Sequence, residues 1–299
     1  MDCPASASSP AEIMTINQPN QPLITQLADM VRQYDPDRYW LWLTVPYLLR
    51  LPVISLFALN VELSRVADVT HDPMMGVIRL QWWRDQIGSF SGTSNQAYLA
   101  VPLRGLEIGG GLQSEYWAES LDILVRGRLY EINRPIATYN DWLTYIDQTS
   151  GQLMYLTTKL LLGSAASNQL CQFARLWGRF YGILGIIRSI PRHAQLGRCY
   201  LPLEILADYQ ITEDNIANLQ FRTQLAHICR KLLKPMQYWL QNSGGGAIMS
   251  AGVDKVKFMR AFIALTLHDL GQLTKADYQP FAKILAPSAL PRIWKIMVA

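Results

Sequence analysis

The residues best equipped for chemistry gather in one acid-free stretch. From 148 to 203 the chain carries no Asp or Glu, while Lys159, Arg175, Arg179, Arg188, Arg192 and Arg198 are all present. Guanidinium groups suit direct, bidentate contact with phosphate or carboxylate, and this excess of positive charge repels a divalent cation. Arg188 falls inside an apolar run, Tyr181, Leu184, Ile187 and Ile190, that steps by three and reads as helix. A charge in that setting requires a partner, either a bound anion or an internal carboxylate such as Asp68. His193 follows in a basic segment, as a ligand or base, or as a solvated, hydrogen-bonded side chain.

The elements that must position these groups read as helices. A helix over 168–190 carries Arg188, and Pro191 is expected to end or kink it, having no N–H to donate. Tyr200-Leu201-Pro202 then reads as an ordered turn. Upstream, 24–34 is amphipathic, Pro46 breaks the aromatic run that begins at Tyr39, and from Pro52 the residues Leu56, Leu59, Leu63 and Val66 form one apolar stripe. That helix is expected to end near Asp72-Pro73. Helices follow over 74–90, 115–133 and 139–162, the last with Asn140 as N-cap. Further helices are read over 203–208, 214–240, 255–273 and 278–298, and glycine runs at 109–111 and 244–246 mark breaks. No period-two strand pattern and no repeat is seen. The fold class is all-α, one domain over 24–299 behind a disordered tail over 1–23.

Composition narrows the function. The 299 residues are half apolar and 17% charged, which describes a globular chain with a large core. A net charge of +4 tolerates an acidic membrane surface or anionic ligand and argues against nucleic acid. Cys3, Cys171, Cys199 and Cys229 are scattered, so neither a disulfide framework nor a zinc site is expected. The N-terminal residues include Asp2 and Glu12 and no basic residue before Arg32, unlike a secretory signal or a mitochondrial transit peptide. The apolar stretch 39–61 contains Arg50, Pro46 and Pro52 and is read as core rather than as a membrane span. The C-terminal Lys283, Arg292 and Lys295 are read as a solvated face or a contact to acidic lipid.

Three phrases resemble the squalene/phytoene synthase family. Arg79-Leu80-Gln81-Trp82-Trp83-Arg84-Asp85 is similar to R-L-x-W-W-R-D. The segment Tyr145 to Gly151 is similar to Y-C-x-x-V-A-G. Arg188, with Gly197-Arg198-x-Tyr200-Leu201-Pro202, stands where an acidic D-x-x-x-D motif should lead into G-R-x-Y-L-P. The resemblance implies an isoprenoid-synthase-like helical bundle around a central apolar cavity. In that family, facing helices present paired carboxylates that hold Mg²⁺ against a diphosphate. Laid on that pattern, the first motif falls on Ser64 and Asp68 and the second on Ser189 and His193, so one of four carboxylates remains. Glu62 and Asp72 are off-phase or at a helix end. Asp68 is read as a residual ligand or as a surface salt bridge to Arg65 or Arg84.

Phe57 to Val66, with Asn60-Val61-Glu62-Leu63, resembles the complex I assembly factor 6 branch, whose members keep the fold without intact acidic motifs. The resemblance implies a non-catalytic protein that assists assembly of respiratory NADH dehydrogenase, with a complex I subunit or intermediate as partner. It would be cytoplasmic or peripheral to the inner membrane, with the mitochondrial matrix disfavoured. An isoprenoid or lipid phosphate would bind through Arg188, Arg192, Arg198, Tyr145 and Arg84, with no cofactor and no metal. The alternative is an active prenyl diphosphate transferase with a rearranged Mg²⁺ site.

Overall fold

A computed structural model describes residues 21–70, 72–88, 114–133, 135–244, 256–282 and 289–299, with Pro102 and Leu106 between them. The tail over 1–20, the glycine run at 109–111 and Lys283 lie outside the described residues. Among the described residues the secondary structure is helical, with no strand. The helices are α1 (Gln21–Tyr34), α2 (Pro36–Trp42), α3 (Arg50–Val69), α4 (Pro73–Gly88), α5 (Ser114–Ile132) and α6 (Tyr139–Ile146). They continue as α7 (Gln152–Leu162), α8 (Asn168–Gln195), α9 (Leu203–Ala207), α10 (Arg222–Trp239), α11 (Lys257–Lys275) and α12 (Ala289–Val298). α1 starts at Gln21, inside the segment read as tail.

Local chemistry sets most boundaries. Asp35 caps α2, accepting from the Arg38 N–H at 3.3 Å with Pro36 in the first turn. Thr138, not Asn140, caps α6, and Thr138 Oγ1 in turn donates to Asp141 at 2.7 Å. Thr138 has the extended backbone a cap needs, whereas Asn140 already lies inside the helix. α3 stops at Val69, and Pro73 opens α4 rather than closing α3. The expected helix over 214–240 begins only at Arg222, after a turn capped by Asn218. The last helix begins at Ala289 rather than at 278, because Asp277 and Tyr278 have positive φ values of 48° and 61°, which helix cannot accommodate.

Pro191 does not end α8, which runs on to Gln195. The proline forgoes one hydrogen bond, but the turns beyond it are closed by a glycine cap. Gly197 takes φ +63°, its N–H donates to the Ala194 carbonyl at 3.1 Å, and the Arg198 N–H reaches back to His193 O at 2.9 Å. This paired closure is the Schellman arrangement. The helix end is therefore fixed by Gly197 and not by Pro191.

The helix read over 139–162 is continuous but contains a π turn over Asp147–Gly151, one residue wider than the α repeat. α8 lies directly on this turn, and two glycines allow it. A Cβ on Gly178 would stand 2.4 Å from the Ser150 carbonyl oxygen, and one on Gly182 would stand 2.9 Å from both Ile146 Cγ2 and Ser150 Cβ. α3 is buried along nearly its whole length. The segment Tyr47–Val69 is long and apolar enough to cross a membrane, yet 67% of its most apolar part is buried inside the fold. It is a core element here.

Gly178→Ala is expected to destabilise the protein by about 1–3 kcal/mol through overpacking against backbone. Gly271→Ala, where a Cβ meets nothing within 4 Å, is expected to be neutral or to stabilise by up to ~1 kcal/mol. Urea midpoints of the two variants check this.

Candidate functional site

The helices enclose a cavity of about 860 Å³ whose wall is apolar over the greater part of its area. Its size suits a ligand with a substantial apolar body. The charged part of the wall holds five arginines, Arg38, Arg128, Arg188, Arg192 and Arg292, against two aspartates, Asp35 and Asp37.

Arg188 is neutralised by two acids that sequence reasoning did not assign to it. It donates to Asp269 and, at 3.4 Å, to Asp37 Oδ2. Arg292 completes a closed ring, bonding Asp37 through Nε at 2.9 Å and through Nη2, and Asp269 through Nη1. The Tyr181 hydroxyl donates to Asp37 Oδ2 at 2.8 Å. α2, α8, α11 and α12 thus converge on one ring of alternating charge. Arg292, read as part of a C-terminal surface face, is instead mostly buried within it. Arg188 does not meet Asp68, because α11 brings Asp269 to the same place first.

Burial works against ionisation of Asp37. The Arg292 hydrogen bond and charge, the Arg188 charge and the Tyr181 hydroxyl outweigh it and hold the carboxyl below its ordinary 3.8. Burial and the Asp37 charge push the Tyr181 hydroxyl upward, so it stays a donor.

A second buried network joins α3, α5 and α6. Arg128 donates to Glu131 and, at 2.7 Å, to Asn60 Oδ1, while the Tyr145 hydroxyl donates to Glu131 at 2.8 Å. Tyr145 lines the cavity, but its hydroxyl is committed to this network, and burial with the Glu131 charge keeps it protonated.

The other predicted positions divide cleanly. Ser64, Ser189, His193, Arg188 and Arg192 all line the cavity. Asp68, Arg198 and Arg84 do not. Asp68 pairs with Arg198, not with Arg65 or Arg84, and Arg198 also donates to the Ala67 carbonyl at 2.7 Å. Arg65 is 3.9 Å from Glu62, and Arg84 pairs with Asp122 on α5. The Ser64 hydroxyl donates to Val61 O at 2.9 Å, and the His193 ring packs edge-on against Tyr200 at 4.7 Å. Arg192 is exposed at the cavity mouth and forms no ion pair among the described residues. The acids behind the wall, Asp269 and Glu131, join Asp35 and Asp37 in neutralising the other four arginines, so Arg192 is the surplus cation.

The squalene/phytoene synthase family model matches residues 31–293. The chain belongs to the squalene/phytoene synthase family. It is 28% identical over 193 residues to the NADH dehydrogenase (ubiquinone) complex I assembly factor 6 homolog of Drosophila melanogaster, covering 62% of this chain and 56% of the relative. It is 22% identical over 188 residues to complex I assembly factor 6 of Homo sapiens, covering 62% and 55%. The chain therefore spans about half the length of the curated relatives it matches. A shorter match, 26% over 111 residues and 36% of each chain, is to the 15-cis-phytoene synthase of Enterobacter agglomerans. Among solved structures, a dehydrosqualene synthase in complex with ligand superposes with TM-score 0.72 at 15% identity, covering 94% of this chain and 96% of that one. The squalene synthase of Alicyclobacillus acidocaldarius gives 0.68 at 15%, covering 91% and 98%. The structural likeness establishes the isoprenoid-synthase fold.

Family membership raises Mg²⁺, a hard ion that takes several oxygen ligands, carboxylates foremost. The residues present do not fit it. Asp37 is occupied by two arginines and a tyrosine, Asp35 by Arg38 and Asp68 by Arg198. Among the described residues no three His, Cys, Asp or Glu side chains converge. The facing positions on α3 and α8 offer neutral hydroxyls and an imidazole beside Arg188 and Arg192.

The Asp37 shift has a definite sign. A carboxyl held below its unfolded value stabilises the fold above that value and loses the contribution as pH falls through the folded one. Wild type is expected to lose stability as pH drops below about 4, and Asp37→Asn to show a flatter dependence. At neutral pH that variant is expected to cost about 3 kcal/mol, from a broken buried pair. Urea midpoints measured across acid pH check both.

Proposed function

We propose that this protein is a non-catalytic member of the squalene/phytoene synthase family that assists assembly of respiratory NADH dehydrogenase at a membrane surface. Its cavity binds the anionic head and apolar body of an isoprenoid or lipid phosphate without metal. The observation that carries this reading is the set of groups at the family's carboxylate positions. Ser64, Ser189 and His193 face the cavity, and Asp68, the one acid left, is turned into an ion pair with Arg198. Departure of a diphosphate needs its developing charge neutralised, a task that falls to metal ions in phosphoryl chemistry. A wall with arginine instead of clustered carboxylate binds an anion and has no means of recruiting the metal. The assembly role is supported by similarity to the assembly factor 6 relatives.

The test is pyrophosphate release from farnesyl and geranylgeranyl diphosphate, with Mg²⁺ or Mn²⁺ and with chelator. No release is expected under any condition. Metal-dependent release would overturn the reading in favour of an active prenyl diphosphate transferase; the Enterobacter relative is named a 15-cis-phytoene synthase. In cells lacking the protein, wild type is expected to restore NADH dehydrogenase assembly without the S64D/S189D/H193D changes. If only the restored variant complements, the non-catalytic reading fails.

A further inference from the structure

We infer that Arg126 and Arg179 form a second anion site, for a phosphate group, on the outer face of the π turn. A separate depression of about 410 Å³ lies there, lined by Arg126, Arg175 and Arg179 with Thr144, Asp147 and Gln148. The site goes beyond the cavity reading and does not depend on it.

The arrangement is a pair of guanidinium groups held from behind. Arg126 is fixed through Nε to Asp122, at 3.0 Å, and Arg179 through Nε to Asp147, at 2.5 Å. Arg175 spends its fork on Asp147, with bonds of 2.8 and 2.6 Å, and Arg84 spends its own on Asp122. The terminal nitrogens of Arg126 and Arg179 take no partner among the described residues, and the two side chains are 49% and 43% exposed. The depression is lined by three arginines against the single acid Asp147, with Asp122 behind Arg126, which leaves a surplus of positive charge. That surplus matches a phosphate monoester, which carries about −1.5 to −2 at neutral pH and offers oxygens to both forks. The carboxylates orient the guanidinium groups in advance, so less freedom is lost on binding. The opposite side of the same turn, Thr149 and Ser150, forms part of the cavity wall, so the two sites share one wall without sharing a cation.

The shared chemistry, phosphate, can come from a soluble ester or from a lipid headgroup. Calorimetric titration of the full chain with inorganic phosphate, and cosedimentation with phosphatidic acid vesicles, separate the sources. R126Q/R179Q is expected to bind phosphate roughly 10-fold more weakly or worse, from loss of charge-assisted bonds, while R192Q at the cavity mouth leaves this component in place. Both replaced side chains are half-exposed, and unchanged circular dichroism and melting confirm folding. R126K/R179K keeps the charge without the fork and is expected to fall between. Loss of vesicle binding along with phosphate binding assigns a lipid headgroup, and loss of phosphate binding alone assigns a soluble ester. Phosphate affinity unchanged in R126Q/R179Q, no phosphate binding by wild type, or a loss confined to R192Q would each overturn the site. None of these outcomes bears on pyrophosphate release, so the second site and the non-catalytic reading fail separately, whereas a loss confined to R192Q points to the cavity.

Discussion

A guanidinium cannot sit inside an apolar helix without a counter-charge, and this constraint on Arg188 organises one side of the molecule. The side chain stands one position after Ile187 on α8, about three-quarters buried in the cavity wall, where an unpaired charge would cost several kcal/mol. Asp269 from α11 and Asp37 from α2 meet it, and each then needs a second cation, which Arg292 on α12 supplies. Four segments distant in the chain are thereby brought to one point. Hydrophobic burial drives them together but does not choose their register. The ring does, because a slip of one residue on any helix leaves a charge uncompensated.

A second part of the cavity wall follows the same logic with different groups. Arg128 and Glu131 share a face of α5, and Asn60 from α3 and Tyr145 from α6 complete their hydrogen bonds. The π turn sits against Gly178 and Gly182 of α8 at distances that leave no room for a side chain. Thr149 and Ser150 are set facing the cavity, while Asp147 faces outward to Arg175 and Arg179. A regular α repeat would shift the residues beyond it by one residue's step, roughly 100° around the helix axis. The widened turn is what gives one segment two working faces.

Much of this was legible in the residues and some was not, for reasons that differ by site. The helices and the buried faces followed from apolar spacing, and the need of Arg188 for a carboxylate followed from its neighbours. Naming that carboxylate did not follow, because helical periodicity shows which face is buried and not which helices meet. The signal for Asp269 was nonetheless present. It continues the stripe of Phe262, Leu265 and Thr266 on α11, so it is a charge on a buried face, in need of a partner as Arg188 is. Asp37 gave a weaker sign, since it follows a proline at a helix start, where an acid also serves the helix dipole. Pro191 was misread because the rule against internal proline weighs one residue, while the Gly197 closure restores the backbone bonds beyond it. The π turn has no compositional mark in Asp147–Gly151 that distinguishes it from α-helix.

The arrangement of charge bears on two ways of handling an anion in this fold. Metal-assisted binding needs carboxylates that are free, clustered and facing one another across the cavity, so that the ion rather than the protein meets the phosphate. Here every acid lining or backing the cavity is already bonded to an arginine, and those arginines are aligned by the very acids that neutralise them. Adding Mg²⁺ to such a wall would require breaking a buried pair for each carboxylate recruited, at about 3–5 kcal/mol apiece, before any metal–oxygen bond repaid it. Adding an anion requires only that Arg192, the unpaired cation at the mouth, accept it. On the proposed reading, a negative headgroup is met directly by arginine at this wall rather than through a metal ion.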